Sequence, residues 1–236
     1  FSTLATEHTV TVTDLQPASR YEVKIEVQDD AGNITVYDSG GAFYRFRTAD
    51  RVVLLEDSME DGSSLFAVSG GSNQAGENGL WHLSTYRASD GATAWYYGLE
   101  ESKTYDTGRH NWGAIATRET IDLRDADTAR LTFRHILKTE NDGGFDIARV
   151  QIATDTVTFR TVFQSVASAT DWEEISIDLS PYLGSIISVR FVFDTVDEWF
   201  NAYQGWLVDE IRIIASKQTP ADIDGDGAVS LADLVS

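Results

Sequence analysis

Short runs of alternating apolar and polar residues fill the centre of the chain, from about residue 52 to residue 215. The clearest are LTFRHIL at 131–137, ISIDL at 175–179 and VRFVF at 189–193. A period of two is typical of strands that bury one face. Clusters of Gly, Asp, Asn and Ser separate the runs, and no long stretch has a helical period. The pattern predicts an all-β protein whose centre is an antiparallel β-sandwich of the jelly-roll type.

Two details refine the strands of this sandwich. FDIARVQI at 145–152 breaks phase between Ile147 and Val150, which predicts a β-bulge. His135 shares a row with Phe133, so we expect a hydrogen-bonded core histidine.

The first fifty residues predict a second, partial sandwich. Three further runs alternate: HTVTVTDL at 8–15, YEVKIEV at 21–27 and AFYRFRT at 42–48. DDAGN at 29–33 has the composition of a tight turn. Three strands cannot cover both sides of a sandwich core, so we expect the remaining strands to lie upstream of the first residue.

Composition narrows the classes of partner. The 236 residues contain 38 acidic and 18 basic side chains, a formal net charge of -20. Such a surface repels nucleic acid and anionic membranes and attracts divalent cations, although a solvated acidic surface would account for most of the charge. There is no cysteine, which excludes disulfides and thiolate metal sites, and no apolar run long enough to insert in a membrane. Neither HExxH nor GxSxG occurs, so we predict a non-enzyme with no catalytic residues.

An acidic cluster predicts a cation site in the sandwich. The alternation of WLVDEIRII sets Asp209 in one row with Leu207 and Ile211, and a buried carboxylate needs a partner or a metal. Asp57 and Glu60 lie near the start of the domain, and a jelly roll brings its first and last strands together. These three carboxylates would suit Ca²⁺. In the alternative, Asp209 accepts main-chain hydrogen bonds in a tight turn and the other acids are solvated.

Several aromatic residues are candidates for ligand binding. DEWFNAY at 197–203 predicts a loop that presents Trp199 or Tyr203, and RHNW predicts the same for Trp112. Exposed rings of this kind stack on sugars. Large aromatics also dominate sandwich interiors, and three other tryptophans are predicted to lie in the core: Trp81, Trp95 and Trp206.

The segment DIDGDGAVSLAD at 222–233 has the spacing of a calcium-binding loop, with Gly227 at the sharp turn. Its predicted ligands are three carboxylates, one main-chain carbonyl, one serine acting through water and a closing acid: Asp222, Asp224, Asp226, Ala228, Ser230 and Asp233. The alternative is an acidic, glycine-rich turn without metal. The sequence therefore predicts Ca²⁺ as a cofactor and a short EF-hand-like loop at the C-terminus.

Three regions resemble known families. LQPASRY at 15–21 resembles the tyrosine corner of fibronectin type III domains, which implies the last three strands of that sandwich for 1–50. The C-terminal region, 217–236, resembles the start of a dockerin type I repeat, where Asp is the normal closing acid. This second resemblance implies a cohesin-like protein partner.

Residues 51–216 resemble the jelly-roll domain of secreted bacterial proteins typified by immune inhibitor A peptidases, which is similar to MAM domains. Four segments carry the resemblance: LWHLSTYRASDGATAWYYGLEESKTYDTG, LTFRHILKTENDGGFDIARVQI, DWEEISIDLSPYLG and GWLVDEIRI. It implies an accessory domain in a secreted protein, with a structural calcium near the acidic cluster.

Together these observations predict a non-catalytic, calcium-stabilised binding or display module of a secreted or cell-surface protein, mediating protein or surface adhesion. Its partner would be a cohesin-like module, a neighbouring subunit or a surface glycan. Two alternatives remain: a carbohydrate-binding accessory domain of a secreted peptidase or glycosidase, and a structural subunit of an extracellular filament or surface layer.

Overall fold

The computed structural model describes residues 12, 15–38, 40–41, 43–48, 50–72 and 79–217. Contacts divide the chain into two units, Val52–Ala215 and a second unit of residues 1–51 and 216–236. The predicted calcium loop at 222–233 lies outside the described residues.

Strands and turns make up the described chain, and its one helical segment is a single 3₁₀ turn, Ser180–Tyr182. No helix among these residues has the length and apolar character needed to cross a bilayer. The strands are β1 Arg20–Val23, β2 Ile25–Gln28, β3 Ile34–Tyr37, β4 Tyr44–Arg47, β5 Asp50–Asp57, β6 Phe66–Ser72, β7 Trp81–Ser84, β8 Ala94–Tyr97, β9 Trp112–Thr117, β10 Ile121–Asp122, β11 Thr128–Lys138, β12 Ile147–Ala153, β13 Arg160–Ser165, β14 Glu173–Asp178, β15 Ile186–Asp194 and β16 Gly205–Lys217.

Two sheets build the larger unit. Sheet one has the order β13-β12-β15-β9-β6, with β10 also paired to β15. Sheet two has the order β14-β11-β16-β8-β7, with β5 also paired to β16. Neighbours in each sheet are mostly distant in sequence and pair antiparallel. The prediction of an all-β sandwich with jelly-roll-like connections is confirmed.

Aromatic rings from the two sheets meet in the core. Phe133 of sheet two packs edge-on against Phe191 of sheet one, with ring centroids 5.1 Å apart. Tyr97 and Phe193 also meet between the sheets, with centroids 4.8 Å apart. The three tryptophans predicted for the core are all buried: Trp81, Trp95 and Trp206. Because alternate residues of each strand feed this layer, the period-two pattern of the sequence located the core correctly.

The prediction for β16 needs a correction. Strict alternation placed Ile211 on the same face as Leu207 and opposite to Trp206 and Val208, but Trp206, Val208 and Ile211 all belong to the main core, and Leu207 faces the other way. The alternation of buried and exposed residues changes phase at Glu210, which adopts a left-handed backbone conformation with a φ of 48°. Glu210 is therefore an extra residue in the strand, as in a β-bulge. One extra residue moves every later side chain to the opposite face.

The bulge predicted between Ile147 and Val150 is also wrong. Residues of β12 pair one-to-one with β15 from Ile147 to Ala153. Ala148 lies in the core, so core residues alternate regularly through Ala148, Val150 and Ile152. The irregularity lies one step further along, after Val150, in the pairing with β13.

The outer face of sheet two is covered by its own loops. Ala94, Tyr96, Ile136 and Leu207 form a second buried cluster on this face. Tyr86 and Trp172, which lie in loops, pack against the cluster. The apolar side chains of this cluster are therefore covered by residues of the same unit.

In the smaller unit, β1 pairs with β4 and β2 pairs with β3. The Tyr21 hydroxyl accepts a hydrogen bond from the main-chain N–H of Gln16 at 2.7 Å, and its ring stacks on Phe46. Asp29 closes the predicted turn by accepting from the main-chain N–H of Asn33. A hydrogen bond from the turn to the tyrosine hydroxyl is the contact that the resemblance to a tyrosine corner implies. Membership of the fibronectin type III family stays a prediction.

Candidate functional site

The outer face of sheet one carries hydrogen-bonding side chains in register across three strands. Thr161, Gln151 and Arg190 lie opposite one another on β13, β12 and β15. Gln164 and Arg149 form a parallel row two residues along. We call these five residues the polar face. They point away from the core because their strand neighbours fill it.

Side chains of the polar face bind one another. The Arg190 Nε–H donates to Gln151 Oε1 at 2.7 Å, and the Gln151 amide donates to the Thr161 hydroxyl at 3.0 Å. In the second row the Arg149 Nε–H donates to Gln164 Oε1 at 3.2 Å. Each guanidinium keeps further N–H groups that these bonds do not use.

A groove of about 500 Å³ lies beside the first row. Ala116 and Ser188 contribute small side chains to its lining, and Phe159 contributes an aromatic ring. The Arg190 guanidinium stands over the Phe159 ring, 4.0 Å from its centroid. Partial burial lowers the pKa of Arg190, but the side chain stays a cation because a guanidinium does not deprotonate in proteins.

The opposite end of the face is formed by Trp112, Asp194 and His110. Trp112 pairs with Asp194 across β9 and β15 and keeps 36% of its surface exposed. His110 Nε2 lies 2.8 Å from Asp194 Oδ1, and the Arg149 guanidinium lies 3.7 Å from the other carboxylate oxygen. An indole, an imidazole and a carboxylate thus adjoin the second polar row.

The loop after β15 presents two aromatic rings. Trp199 and Phe200 are 65% and 73% exposed. Phe200 and Val196 both adopt left-handed backbone conformations, with φ of 56° and 68°. A left-handed conformation is rare for a bulky or β-branched residue. It persists only where the surrounding structure holds the backbone in place. Tyr203, the other candidate in this loop, is half-buried and packs against the core.

Asp57 and Glu60 line a surface cavity of about 220 Å³, and each carboxylate already accepts hydrogen bonds. Asp57 accepts from the Ser64 hydroxyl at 2.5 Å and the Leu65 N–H at 2.9 Å. Glu60 accepts from the N–H groups of a different loop, Ala92 at 2.8 Å among them.

Asp209 is buried and accepts from the main-chain N–H groups of Ser89 and Glu210, each at 2.7 Å. Burial raises the pKa of this carboxyl group. These contacts match the predicted alternative of a carboxylate in a tight turn.

Within the described ranges, no three acidic or histidine side chains come together as a metal-binding group. The oxygens of Asp57, Glu60 and Asp209 face N–H and O–H donors, which occupy directions that a cation would need. Calcium binding by these residues stays a prediction, as does binding by the loop at 222–233.

The sequence singled out Trp112 and Trp199, which are exposed in the structure, but ligand binding by these rings stays a prediction; it did not single out the polar face. Arg149, Gln151 and Arg190 occupy the polar positions of alternating strands, which are usually solvated. Nothing in the sequence brings these positions together, because their strands become neighbours only in the folded sheet.

No family model and no curated protein match this chain. Solved structures with a similar fold include TmCBM61 in complex with beta-1,4-galactotriose, at 12% identity over 69% of this chain and 97% of that one, with a TM-score of 0.48. A second is described as showing promiscuous specificity of carbohydrate-binding modules from the beta-sandwich superfamily, at 17% identity over 83% and 74%, TM-score 0.46. A third is the K3 cleaved adhesin domain of Lys-gingipain from Porphyromonas gingivalis w83, at 12% identity over 69% and 98%, TM-score 0.44. At these scores the similarities assign no function to this chain.

Proposed function

We propose that this chain is a non-catalytic binding module that takes a carbohydrate on the polar face of sheet one. The observation that carries the proposal is the pair of cross-strand rows, which offer guanidinium, amide and hydroxyl groups side by side. Sugar hydroxyls donate and accept hydrogen bonds in close pairs, and planar forks such as Arg149 and Arg190 match such pairs.

Aromatic rings at both ends of the face support the same ligand class. Phe159 lies beside the groove, and Trp112 lies at the other end. The stretch of β15 from Ser188 to Asp194 spans about 20 Å, given the rise of a strand. A surface of this length accommodates several sugar units, whose apolar faces stack on indole or phenyl rings.

A glycan array with the full chain, followed by calorimetry on the best ligands, tests the proposal. Arg190→Ala and Trp112→Ala should each weaken binding by about tenfold, because a charge-assisted hydrogen bond or a stacked ring contributes about 1.4 kcal/mol or more. Arg190→Lys keeps the positive charge but loses the paired N–H donors of the planar guanidinium group, so it should weaken binding as well.

Arg212→Ala is the matched control, since this exposed guanidinium lies on sheet two in an ion pair with Glu56. Its affinity should equal that of the wild type. An array with no bound glycan, or full affinity in Arg190→Ala, would overturn the proposal.

A second candidate is protein adhesion through the loop that bears Trp199 and Phe200. Two adjacent rings with most of their surface in water are typical of residues that anchor a protein interface. Trp199→Ser with Phe200→Ser should then abolish capture of a neighbouring subunit while leaving sugar binding intact.

Calcium stabilisation and a secreted or cell-surface location belong to the same proposal. The sequence of 222–233 supports both, because Ca²⁺ is abundant outside cells and this loop has a full set of oxygen ligands. Chelation should lower the melting temperature of the full chain, and Asp222→Ala with Asp224→Ala should reduce that effect.

A further inference from the structure

A buried carboxylate at the base of the Trp199 loop has one oxygen without a hydrogen-bond partner. Asp146 is 1% exposed, and its Oδ2 accepts a 2.6 Å hydrogen bond from the Tyr105 hydroxyl. Among the described residues, no donor makes a hydrogen bond of normal geometry to its Oδ1. An unsatisfied oxygen of this kind is unfavourable by about 1–3 kcal/mol, and by more when the group is charged.

Asn201 presents a second such oxygen. It is 2% exposed, and its side-chain amide donates to the main-chain carbonyl of Asp197 at 3.2 Å. Because a carbonyl only accepts, the amide nitrogen must face Asp197 and the amide oxygen must point the other way. That oxygen, Oδ1, also lacks a partner among the described residues.

One hydrogen-bonded network joins the two side chains. The Asp146 N–H donates to the Thr195 carbonyl at 3.3 Å, and the Thr195 hydroxyl donates to the Asp197 carbonyl at 2.7 Å. The Asp197 carbonyl is the group that also receives the Asn201 amide. The two unpartnered oxygens therefore lie in two segments that hydrogen bonds join at the base of the Trp199 loop.

The electrostatic surroundings of this network are negative. Asp146 is buried, the carboxylates of Glu140 and Asp197 are close enough to interact with it, and none of the ion pairs among the described residues includes it. A water molecule could donate to two acceptors, but it would leave this charge uncompensated. A cation would satisfy both oxygens and offset the charge.

We propose that Asp146 Oδ1 and Asn201 Oδ1 are ligands of a hard divalent cation of the Ca²⁺ type. Main-chain carbonyls and water supply its other ligands, as is usual for Ca²⁺. Glu140 and Asp197 act through their negative potential. This site is separate from the acidic cluster at Asp57 and from the C-terminal loop.

The cation would tie the segment at 140–146 to the loop at 195–203. Hydrogen–deuterium exchange on the full chain, with Asp222→Ala and Asp224→Ala to remove the C-terminal ligands, detects this directly. Millimolar Ca²⁺ should slow amide exchange in both segments by about tenfold relative to chelator, because binding to the folded form opposes local opening. Equal exchange with Ca²⁺ and with chelator would overturn the proposal in favour of a bound water.

Two variants localise the effect. Asp146→Asn should abolish the Ca²⁺-dependent protection, whereas Asp142→Asn, which removes one exposed charge from the same loop, should retain it. Asn201→Ala provides the same test from the other ligand should Asp146→Asn not fold. Undiminished protection in a folded Asp146→Asn or Asn201→Ala protein would contradict the assignment of these ligands.

Discussion

At the scale of single residues, His135 is a buried base with one defined partner. It is 4% exposed, and its Nδ1 accepts a hydrogen bond from the Trp206 Nε1–H at 3.1 Å. Glu173 lies 4.0 Å from its other nitrogen and is largely exposed. Burial lowers the pKa of His135 to about 4.

Stability should therefore fall on acidification through His135. Between pH 6.5 and 4 the unfolded chain binds a proton on this imidazole that the folded protein excludes, so the free energy of unfolding decreases as the pH falls. The contribution is up to about 3 kcal/mol, since each pKa unit corresponds to about 1.4 kcal/mol. Urea unfolding at pH 6.5 and 4.5 should show a smaller loss for His135→Gln than for the wild type. Equal losses in the two proteins would argue against a buried neutral imidazole.

Gly205, the first residue of β16, has a backbone that excludes a side chain. Its φ is 90°, and a Cβ atom would lie 2.2 Å from the carbonyl oxygen of Tyr97. Gly184 has a similar φ of 77° with no atom within 4 Å of its Cβ position. Alanine should cost about 1 kcal/mol at either site for the left-handed backbone. At Gly205 the clash should add about 2 kcal/mol. Thermal unfolding of the two variants measures the difference, and equal melting temperatures would contradict so close an approach of β16 to β8.

At the scale of strands, alternation in the sequence was enough to predict the sheets but not their irregularities. The rows through Phe133 and Phe191 follow directly from side-chain period. The phase shift at Glu210 does not, because a bulge adds one residue without any required residue type. The phase break predicted between Ile147 and Val150 was wrong because Ala148 lies in the core and its small side chain gives only a weak apolar signal.

The polar face could not be predicted because the contacts between its side chains depend on the order of the strands in the sheet. Gln151 and Arg190 are 39 residues apart in the chain and become neighbours only when β12 pairs with β15. A single sequence gives strand faces and leaves the lateral order of strands open. Trp199, by contrast, was recognisable because a loop composition surrounds it.

The loops that cover sheet two contribute to its stability. Trp172→Ala should expose the second cluster, including Leu207, and lower the free energy of unfolding by about 2 kcal/mol, since its ring is only partly buried. Trp199→Ala is the matched control, because that ring is 65% exposed and should leave stability unchanged. Chemical denaturation gives both values, and a neutral Trp172→Ala would show that the covering loop is dispensable.

At the scale of the whole molecule, the net charge of -20 opposes compaction. Raising NaCl from about 10 mM to 500 mM in the presence of chelator shortens the screening length several-fold and should raise the melting temperature by about 3 °C. Calorimetric scans across this salt series measure the shift. A melting temperature that falls with salt would indicate that attractive ion pairs, such as Arg212 with Glu56, outweigh repulsion.

The cross-strand bonds of the polar face have a consequence for selectivity. Arg190 contacts both Gln151 and the ring of Phe159, so its side chain is held in one rotamer in the absence of a sugar. Little side-chain entropy is then lost on association, and the surface cannot reshape itself around a mismatched ligand. Discrimination between glycosidic linkages should accordingly rest on rigid complementarity, with misfitting saccharides rejected by rapid dissociation.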